Sequence, residues 1–296
     1  MTIQFISCHL DLINQSLVEV LDANEIMIDY HIHTLLCNHA QGAMESYIRS
    51  AINLGMKEIC FLDHLTVQES EKGLSMAPEE IPHYFQAIQL LKQQYKEAIH
   101  VKAGLEIDFN PAYTDLFQEI VGTYAFDVVA SALHFPGGLN IVSGSSAWRH
   151  GENNTDYVYG LYYEHLEKML DFNYFDVICH IDLIKKFGRK PSRPFDKEFN
   201  EILLKIKTKN LCVEINTSGY THPVRELYPS PDMITTCHDL GIRITLGSDA
   251  HSPANVGQHY DRALPLILSA GYEYLTTFTK RRGGKIPIEQ PIAMVR

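Results

Sequence analysis

Histidines and carboxylates recur at short, repeated spacings in this chain of 296 residues. Asp29, His31 and His33 stand two apart, as do Asp249 and His251. Asp63 with His64, then Glu106, His134 and His180, close other apolar runs. Imidazole nitrogens mixed with carboxylate oxygens form a ligand set suited to Zn, Mn or Fe. One such histidine at a strand end is ordinarily a hydrogen-bonded structural residue. Gathering many is another matter, because burying several imidazoles together is costly unless something binds them. The set exceeds the roughly four to six ligands of one ion. It points to a centre of two or three metals with Glu106 as a bridge. Such centres hydrolyse: one ion lowers the pKa of a bound water to about 7, and its neighbours clamp substrate oxygens. A dianionic phosphate is the natural ligand of several packed cations, so the chemistry expected is metal-dependent phosphoester hydrolysis.

Residues spread from 29 to 251 need a scaffold that brings them to one rim. Short apolar runs with β-branched residues predict strands near 26–32, 58–63, 100–106, 126–133, 175–180, 211–215 and 242–247. Amphipathic segments predict helices near 43–54, 79–97, 156–171, 196–209, 231–240 and 259–271. Ser230 or Pro231 opens the helix at 231 and Gly241 closes it. Seven βα-like units predict an α/β fold with a parallel sheet closed into a barrel. An open, doubly wound sheet is the alternative, but no strand is followed by its G-x-G-x-x-G fingerprint. In a parallel barrel the carboxyl ends of all strands converge on one face. The residues named above fall at those ends, and alternation along the first strand puts Asp29, His31 and His33 on one side.

No low-complexity stretch or linker divides the chain, so 26–296 reads as a single catalytic domain. Residues 1–25 stand outside the repeat. They are either an added helix or an artefact of the assigned start, since Met27 opens a segment that reads like a natural N-terminus. Acidic residues outnumber basic ones by 36 to 25, a formal charge of −11, and no dense Lys/Arg block appears, so nucleic-acid binding is not expected. No apolar run approaches the ~20 residues of a membrane span. The first basic residue is Arg49, so a secretory signal with a basic n-region is not expected either. The cysteines (Cys8, Cys37, Cys60, Cys179, Cys212, Cys237) are scattered without a Cys-x-x-Cys, and read as buried free thiols of a cytoplasmic protein.

These residues resemble the PHP (polymerase and histidinol phosphatase) superfamily. The stretch DYHIHTLLCNHA, with His31, His33 and His39, is similar to its opening motif. FLDHL with His64, GLEIDF with Glu106, SALHF with His134 and DVICHIDLIKKFG with His180 resemble the following ones. INTSGY and LGSDAHSPANVG, with Asp249 and His251, resemble the closing motifs. The resemblance runs from about residue 27 to the C-terminus, and all nine metal positions carry the expected residue type. It implies a distorted (β/α)7 TIM-like barrel and three divalent ions per chain, Zn, Mn or Fe. The first ion would take His31, His33, Glu106 and Asp249. The second would take His39, His64 and His251, and the third Glu106, His134 and His180. His39 enters only through the resemblance, since it lies in a loop six residues past His33.

Within the superfamily the chain looks most like the monofunctional histidinol-phosphatases. The implied substrate is L-histidinol phosphate, hydrolysed to L-histidinol and phosphate in histidine biosynthesis. A hydroxide held between two metals would attack phosphorus in line, with Glu106 and Asp249 acting through it, while the third metal neutralises phosphate oxygens. One loop departs from the pattern. Where members read approximately NTSGLRKPVGEIYP this chain reads NTSGYTHPVRELYP, so a basic pair is replaced by Thr221 and His222 while Arg225 appears further on. This leaves open another small phosphoester, such as a nucleotide or sugar phosphate. An amidohydrolase, which also opens with His-x-His on a barrel, is disfavoured because no Lys stands where a carbamylated bridge would. A metal-bearing scaffold is disfavoured because the ligand set is full.

The substrate-binding candidates are Arg225, His222, Arg189 and Arg149. Lys185, Lys186 and Arg189 follow the fifth strand; such a cluster is ordinarily a solvated face, and Arg189 is its candidate for reaching a phosphate. Arg149 sits in a Gly/Ser-rich loop, 137–151, that could cover the site. Asp29 either orients a ligand imidazole or satisfies backbone groups. Asp63 and Asp182 are expected to be structural because strand neighbours point opposite ways. Tyr157, Tyr159, Tyr162 and Tyr163 are expected to pack a helix.

Overall fold

Seven apolar runs pair side by side, in sequence order and all parallel: β1 (Ile28–Ile32), β2 (Glu58–Leu65), β3 (His100–Asp108), β4 (Val128–Ala132), β5 (Val177–Ile178), β6 (Cys212–Asn216) and β7 (Arg243–Gly247). The computed structural model describes residues 28–67 and 74–288, so the extension expected at 1–25 and Cys8 lie outside the described residues. The strands are buried along almost their whole length, as parallel strands covered on both faces must be. The sheet closes through the segment after β7. Ile32 bridges Ala250, with His33 N–H donating to Ala250 O (3.0 Å) and Ala250 N–H donating to His31 O (3.1 Å). The fold is thus an α/β distorted (β/α)7 barrel.

Helices α1 (Met44–Asn53), α2 (Ile81–Gln94), α3 (Thr114–Thr123), a single-turn α4 (Ala147–His150), α5 (Thr155–Met169), α6 (Asp196–Thr208), α7 (Pro231–Asp239) and α8 (Tyr260–Ser269) fill the connections. Each longer helix buries residues at helical spacing, such as Tyr47, Ile48 and Ala51 on α1 or Phe199, Ile202, Leu203 and Ile206 on α6. Tyr159, Tyr162 and Tyr163 of α5 are buried in the same way, while Tyr157 is exposed. Helix α7 has Ser230 before Pro231, and Gly241 follows it at φ 64°.

Three features were not expected from the sequence. Helix α3 buries only Phe117 and Ile120, a short stripe that periodicity does not resolve. Strand β5 is reduced to two residues because His180 leaves the extended region (φ 27°), although Cys179 N–H still donates to Ser131 O at 3.0 Å. An antiparallel hairpin of β8 (Tyr274–Thr279) and β9 (Arg282–Pro287) follows the barrel. It is tied to β1, β3 and β7 by Phe278 N–H donating to Tyr30 Oη (2.6 Å), Lys102 Nζ donating to Phe278 O (2.9 Å) and Thr245 Oγ1 donating to Thr276 O (2.9 Å).

Candidate metal centre

The parallel register builds the centre strand by strand. His64 of β2 lies directly opposite Glu106 of β3, and Nδ1 of the imidazole stands 2.6 Å from Glu106 Oε2. Both residues sit near the carboxyl ends of their strands, and the barrel brings four more imidazoles to the same carboxylate. His180 Nε2 is 3.0 Å from Glu106 Oε1, His31 Nε2 is 3.5 Å from Oε2, and His33 Nε2 and His134 Nε2 are each 3.9 Å away. Burial alone would raise the Glu106 carboxyl; the His64 and His31 imidazoles outweigh it and hold the group well below the usual carboxylate range.

Asp249 is the second carboxylate of the cluster. Its Oδ1 lies 3.0 Å from His33 Nε2, 3.5 Å from His251 Nδ1 and 3.9 Å from His31 Nε2. Asp249 and His180 both have positive φ, 56° and 27°. A left-handed backbone at a residue other than glycine costs about 1–3 kcal/mol and persists where the surroundings over-determine it. Here Ser218 Oγ (3.1 Å) and Asn216 Nδ2 (3.4 Å) donate to Asp249 Oδ2 and hold it over the rim.

The imidazoles are themselves oriented. His31 Nδ1 lies 2.5 Å from Glu214 Oε1, and His33 Nδ1 lies 3.3 Å from Asp63 Oδ1. A carboxylate on one ring nitrogen fixes the tautomer and aims the other nitrogen as a ligand. Glu214 is a functional residue the sequence reading missed, though its place two residues before the end of β6 was a visible signal. Asp63 also departs from the structural role expected. It holds His33 and accepts from Thr34 N–H (3.1 Å) as well, because the turn after β1 brings both groups down onto its carboxylate. Asp29 takes the other course. Its carboxylate accepts from Ser248 N–H (2.9 Å), Gly257 N–H (3.0 Å) and His31 N–H (3.2 Å), so it fastens backbone around the β7 end and orients no imidazole. Asp182 likewise accepts from Ser230 N–H (3.0 Å) and pairs with Lys185 (2.7 Å).

The donor set fits bound cations on two observations. His180 Nδ1 is buried without a hydrogen-bond partner and His31 Nε2 has none nearer than Glu106 Oε2 at 3.5 Å, although orphaned buried polar atoms are rare. His39 Nδ1 lies 2.7 Å from Cys37 O and His251 Nδ1 lies 3.0 Å from Asp249 O. Both Nδ1 atoms must donate to those carbonyls, so both Nε2 atoms carry lone pairs. Those two atoms face each other at 3.0 Å, an arrangement that a shared cation turns from repulsive to favourable. Three further groupings have mutually close ligand atoms: His31, His33 and Asp249; His33, His64 and His251; and Cys37, His39 and His251. Burial, then the Asp63 carboxylate, pushes the Cys37 thiol up to about 12, so it keeps its proton where no cation binds it.

A cleft of about 730 Å³ opens over the cluster, walled by Phe135, Leu183, Lys186 and His222 among others. The arginines singled out from the sequence are elsewhere. Arg225 is exposed and donates to Tyr220 O (3.1 Å). Arg189 donates to Thr155 Oγ1 (3.1 Å) with its guanidinium 4.9 Å over Trp148. Arg149, also exposed, donates to Gly144 O (3.2 Å). Local carbonyls, a hydroxyl and aromatic faces hold these three groups in place, and none lines the cleft.

The PHP domain family matches residues 29–218. The probable histidinol-phosphatase of Deinococcus radiodurans is 31% identical over 251 residues, 84% of this chain and 96% of that protein. The histidinol-phosphatase of Lactococcus lactis subsp. lactis is 26% identical over 261 residues, 85% of this chain and 94% of its own. Among solved structures, histidinol phosphate phosphatase from Lactococcus lactis subsp. lactis, complexed with zinc, L-histidinol and phosphate, has a TM-score of 0.76 at 24% identity, covering 88% of this chain and 99% of that one.

Proposed function

The chain belongs to the PHP domain family, and we propose that it is a metal-dependent phosphomonoesterase that hydrolyses L-histidinol phosphate to L-histidinol and phosphate. The observation that carries this is Glu106, a buried carboxylate with five imidazoles within 4 Å. The relatives named histidinol-phosphatase, matched over nearly their full length, supply the substrate. The reaction belongs to histidine biosynthesis, and the described cysteines, free and buried, suit a reducing cytoplasm.

Three divalent ions fit the donors. His31, His33, Glu106 and Asp249 would hold one; His39, His64 and His251 a second; Glu106, His134 and His180 a third. Zinc suits this mixture, as do manganese and iron. When bound, the ions supply positive charge for phosphate oxygens and a water acidic enough to ionise near neutral pH. The chain's own groups set the geometry. Glu106 would join two of the subsites, its Oε2 facing His31, His33 and His64 and its Oε1 facing His134 and His180, and Asp249, held by Ser218 and Asn216, lines the cleft. Glu214 and Asp63 keep His31 and His33 in register.

A second reading keeps the metal chemistry and changes the ester. It is favoured by the altered loop, whose Arg225 is exposed and bonded to Tyr220 O at 3.1 Å, away from the cluster. Phosphate release by metal-replete protein from L-histidinol phosphate, beside a panel of nucleotide and sugar phosphates, separates the two. A kcat/KM of about 10⁴–10⁸ M⁻¹s⁻¹ on histidinol phosphate, well above the panel, is expected. Strong turnover of another ester with weak turnover of this one overturns the substrate.

A further inference from the structure

The hairpin of β8 and β9 turns at Lys280 and Arg281, against the segment that enters β5. Thr279 pairs with Arg282, so the turn has two residues, and both have positive φ, 49° and 66°. Asn-Gly ordinarily fills such a turn. A lysine and an arginine hold that backbone only where the surroundings over-determine it. Here two aspartates at the amino ends of barrel strands do so. Lys280 N–H donates to Asp127 Oδ1 (3.2 Å) and Arg281 N–H to Asp127 O (2.8 Å). The Arg281 guanidinium grips Asp176 with both arms, Nε donating to Oδ2 (2.8 Å) and Nη2 to Oδ1 (3.0 Å). A planar bidentate pair fixes direction as well as distance.

Asp176 stands at the entry to β5. Its N–H donates to Val129 O (2.7 Å), its O accepts from Cys212 N–H (2.9 Å), and its Oδ2 accepts from Val129 N–H (3.0 Å). It thus joins β4, β5 and β6 at their amino ends. Strand β5 depends on such a joint. It has only Val177 and Ile178 to pair with each neighbour, whereas β2 and β3 pair from Glu58 and His100 through Leu65 and Ile107. His180 follows closely, with its Nε2 3.0 Å from Glu106 Oε1. On that side Cys179 N–H donates to Ser131 O (3.0 Å) and His180 N–H to Glu214 Oε2 (3.0 Å). On the amino side the strand rests on Asp176, and Asp176 on Arg281.

We propose that Arg281 is a positioning residue of the metal centre: through Asp176 it fixes the short β5 and so sets the place of His180 at the other end of that strand. This role rests on the metal-dependent reading of the site; the hold of Arg281 on β5 does not.

Two readouts test it on the full chain. Hydrogen exchange at the Cys179 and His180 amides reports the hold on β5 without reference to metal. Ions retained per chain during dialysis against graded chelator report the centre. Arg281→Gln should quicken exchange at both amides about 10-fold, the scale of a lost charge-assisted hydrogen bond. It should weaken retention of one ion about 3–10-fold, less than the loss of a group touching a ligand histidine. Arg281→Lys, which keeps the charge without the fork, should fall between. Lys280→Gly changes the same turn without touching Asp176, and should match wild type in both readouts. Asp176→Asn should behave like Arg281→Gln, and the double variant no worse than Asp176→Asn alone, as for residues acting through one another. A lower melting temperature with unchanged exchange and unchanged metal retention makes Arg281 merely structural and overturns the proposal. An equal loss in Lys280→Gly overturns it too. Faster exchange with full metal retention breaks the link to the centre, and His180→Ala then separates the two failures. If that variant keeps every ion, His180 is no ligand; if it loses one, Arg281 does not position it.

Discussion

The Nδ1 atom of His31 lies 2.5 Å from Oε1 of Glu214, with both side chains buried. The other oxygen of Glu214 accepts from His180 N–H (3.0 Å) and Asn216 Nδ2–H (3.1 Å), so one carboxylate serves three donors. Glutamine is nearly isosteric but carries an amide that must confront one of them. Glu214→Gln should reduce metal retention by about 10–100-fold, the usual scale for losing a partner behind a ligand histidine. Metal content after dialysis against graded chelator tests this. Retention equal to wild type would show that His31 needs no such support.

Gly247 is forced by the same pair. A Cβ there would lie 2.6 Å from His31 Cβ and closer still to Glu214 Oε1. Neither neighbour has room to retreat. Gly247→Ala should destabilise by about 1–3 kcal/mol, as overpacking does, and should lower metal content as His31 is pushed off line. Thermal melting and metal analysis of the purified variant check both; an unchanged melting temperature refutes the steric argument.

His39 and His251 face each other through their Nε2 atoms at 3.0 Å. If an ion lies between those lone pairs, His39→Ala should carry about one ion fewer per chain than wild type while keeping the ions that share Glu106. Metal-to-protein ratios from elemental analysis decide it. A full complement in the variant removes His39 from the ligand set.

His222 makes stability depend on pH with a definite sign. Burial and the Lys186 charge hold the folded imidazole at about 4, below its ordinary value of 6.5. The unfolded chain therefore binds this proton first, and stability contributed by the neutral ring is lost as pH falls from about 6.5 toward 4. Melting temperatures of metal-replete wild type should fall across that window more steeply than those of His222→Asn. Parallel curves would mean that His222 is not the group responsible.

Much of the site was legible because strand ends and ligand types coincide in the sequence. His31, His33, His64, Glu106, His134, His180, Asp249 and His251 all follow apolar runs, and a parallel barrel has one face for them to reach. The helices with a broad apolar stripe were legible for the same reason. The partners behind the ligands were not. Asp63, Glu214 and Asp29 are all buried acids on strands, yet two hold imidazoles and one holds backbone. Sequence spacing cannot separate these roles, since which donor a carboxylate meets depends on the strand across the barrel. The hairpin of β8 and β9 was missed because its second strand is almost wholly exposed and carries no apolar alternation.

The basic residues draw the line most clearly. The sequence by itself fixes that a cluster of histidines and acids gathers at one rim, because strand periodicity and parallel order leave them nowhere else to go. It does not decide which cation faces that rim. Arg189, Arg225, Lys185 and Lys186 lie in connections and Arg149 on a single-turn helix, where no periodicity assigns a direction. Only the tertiary structure decides, by holding the arginines on local carbonyls, a hydroxyl and aromatic faces, pairing Lys185 with Asp182 and Glu226, and leaving Lys186 on the wall of the cleft.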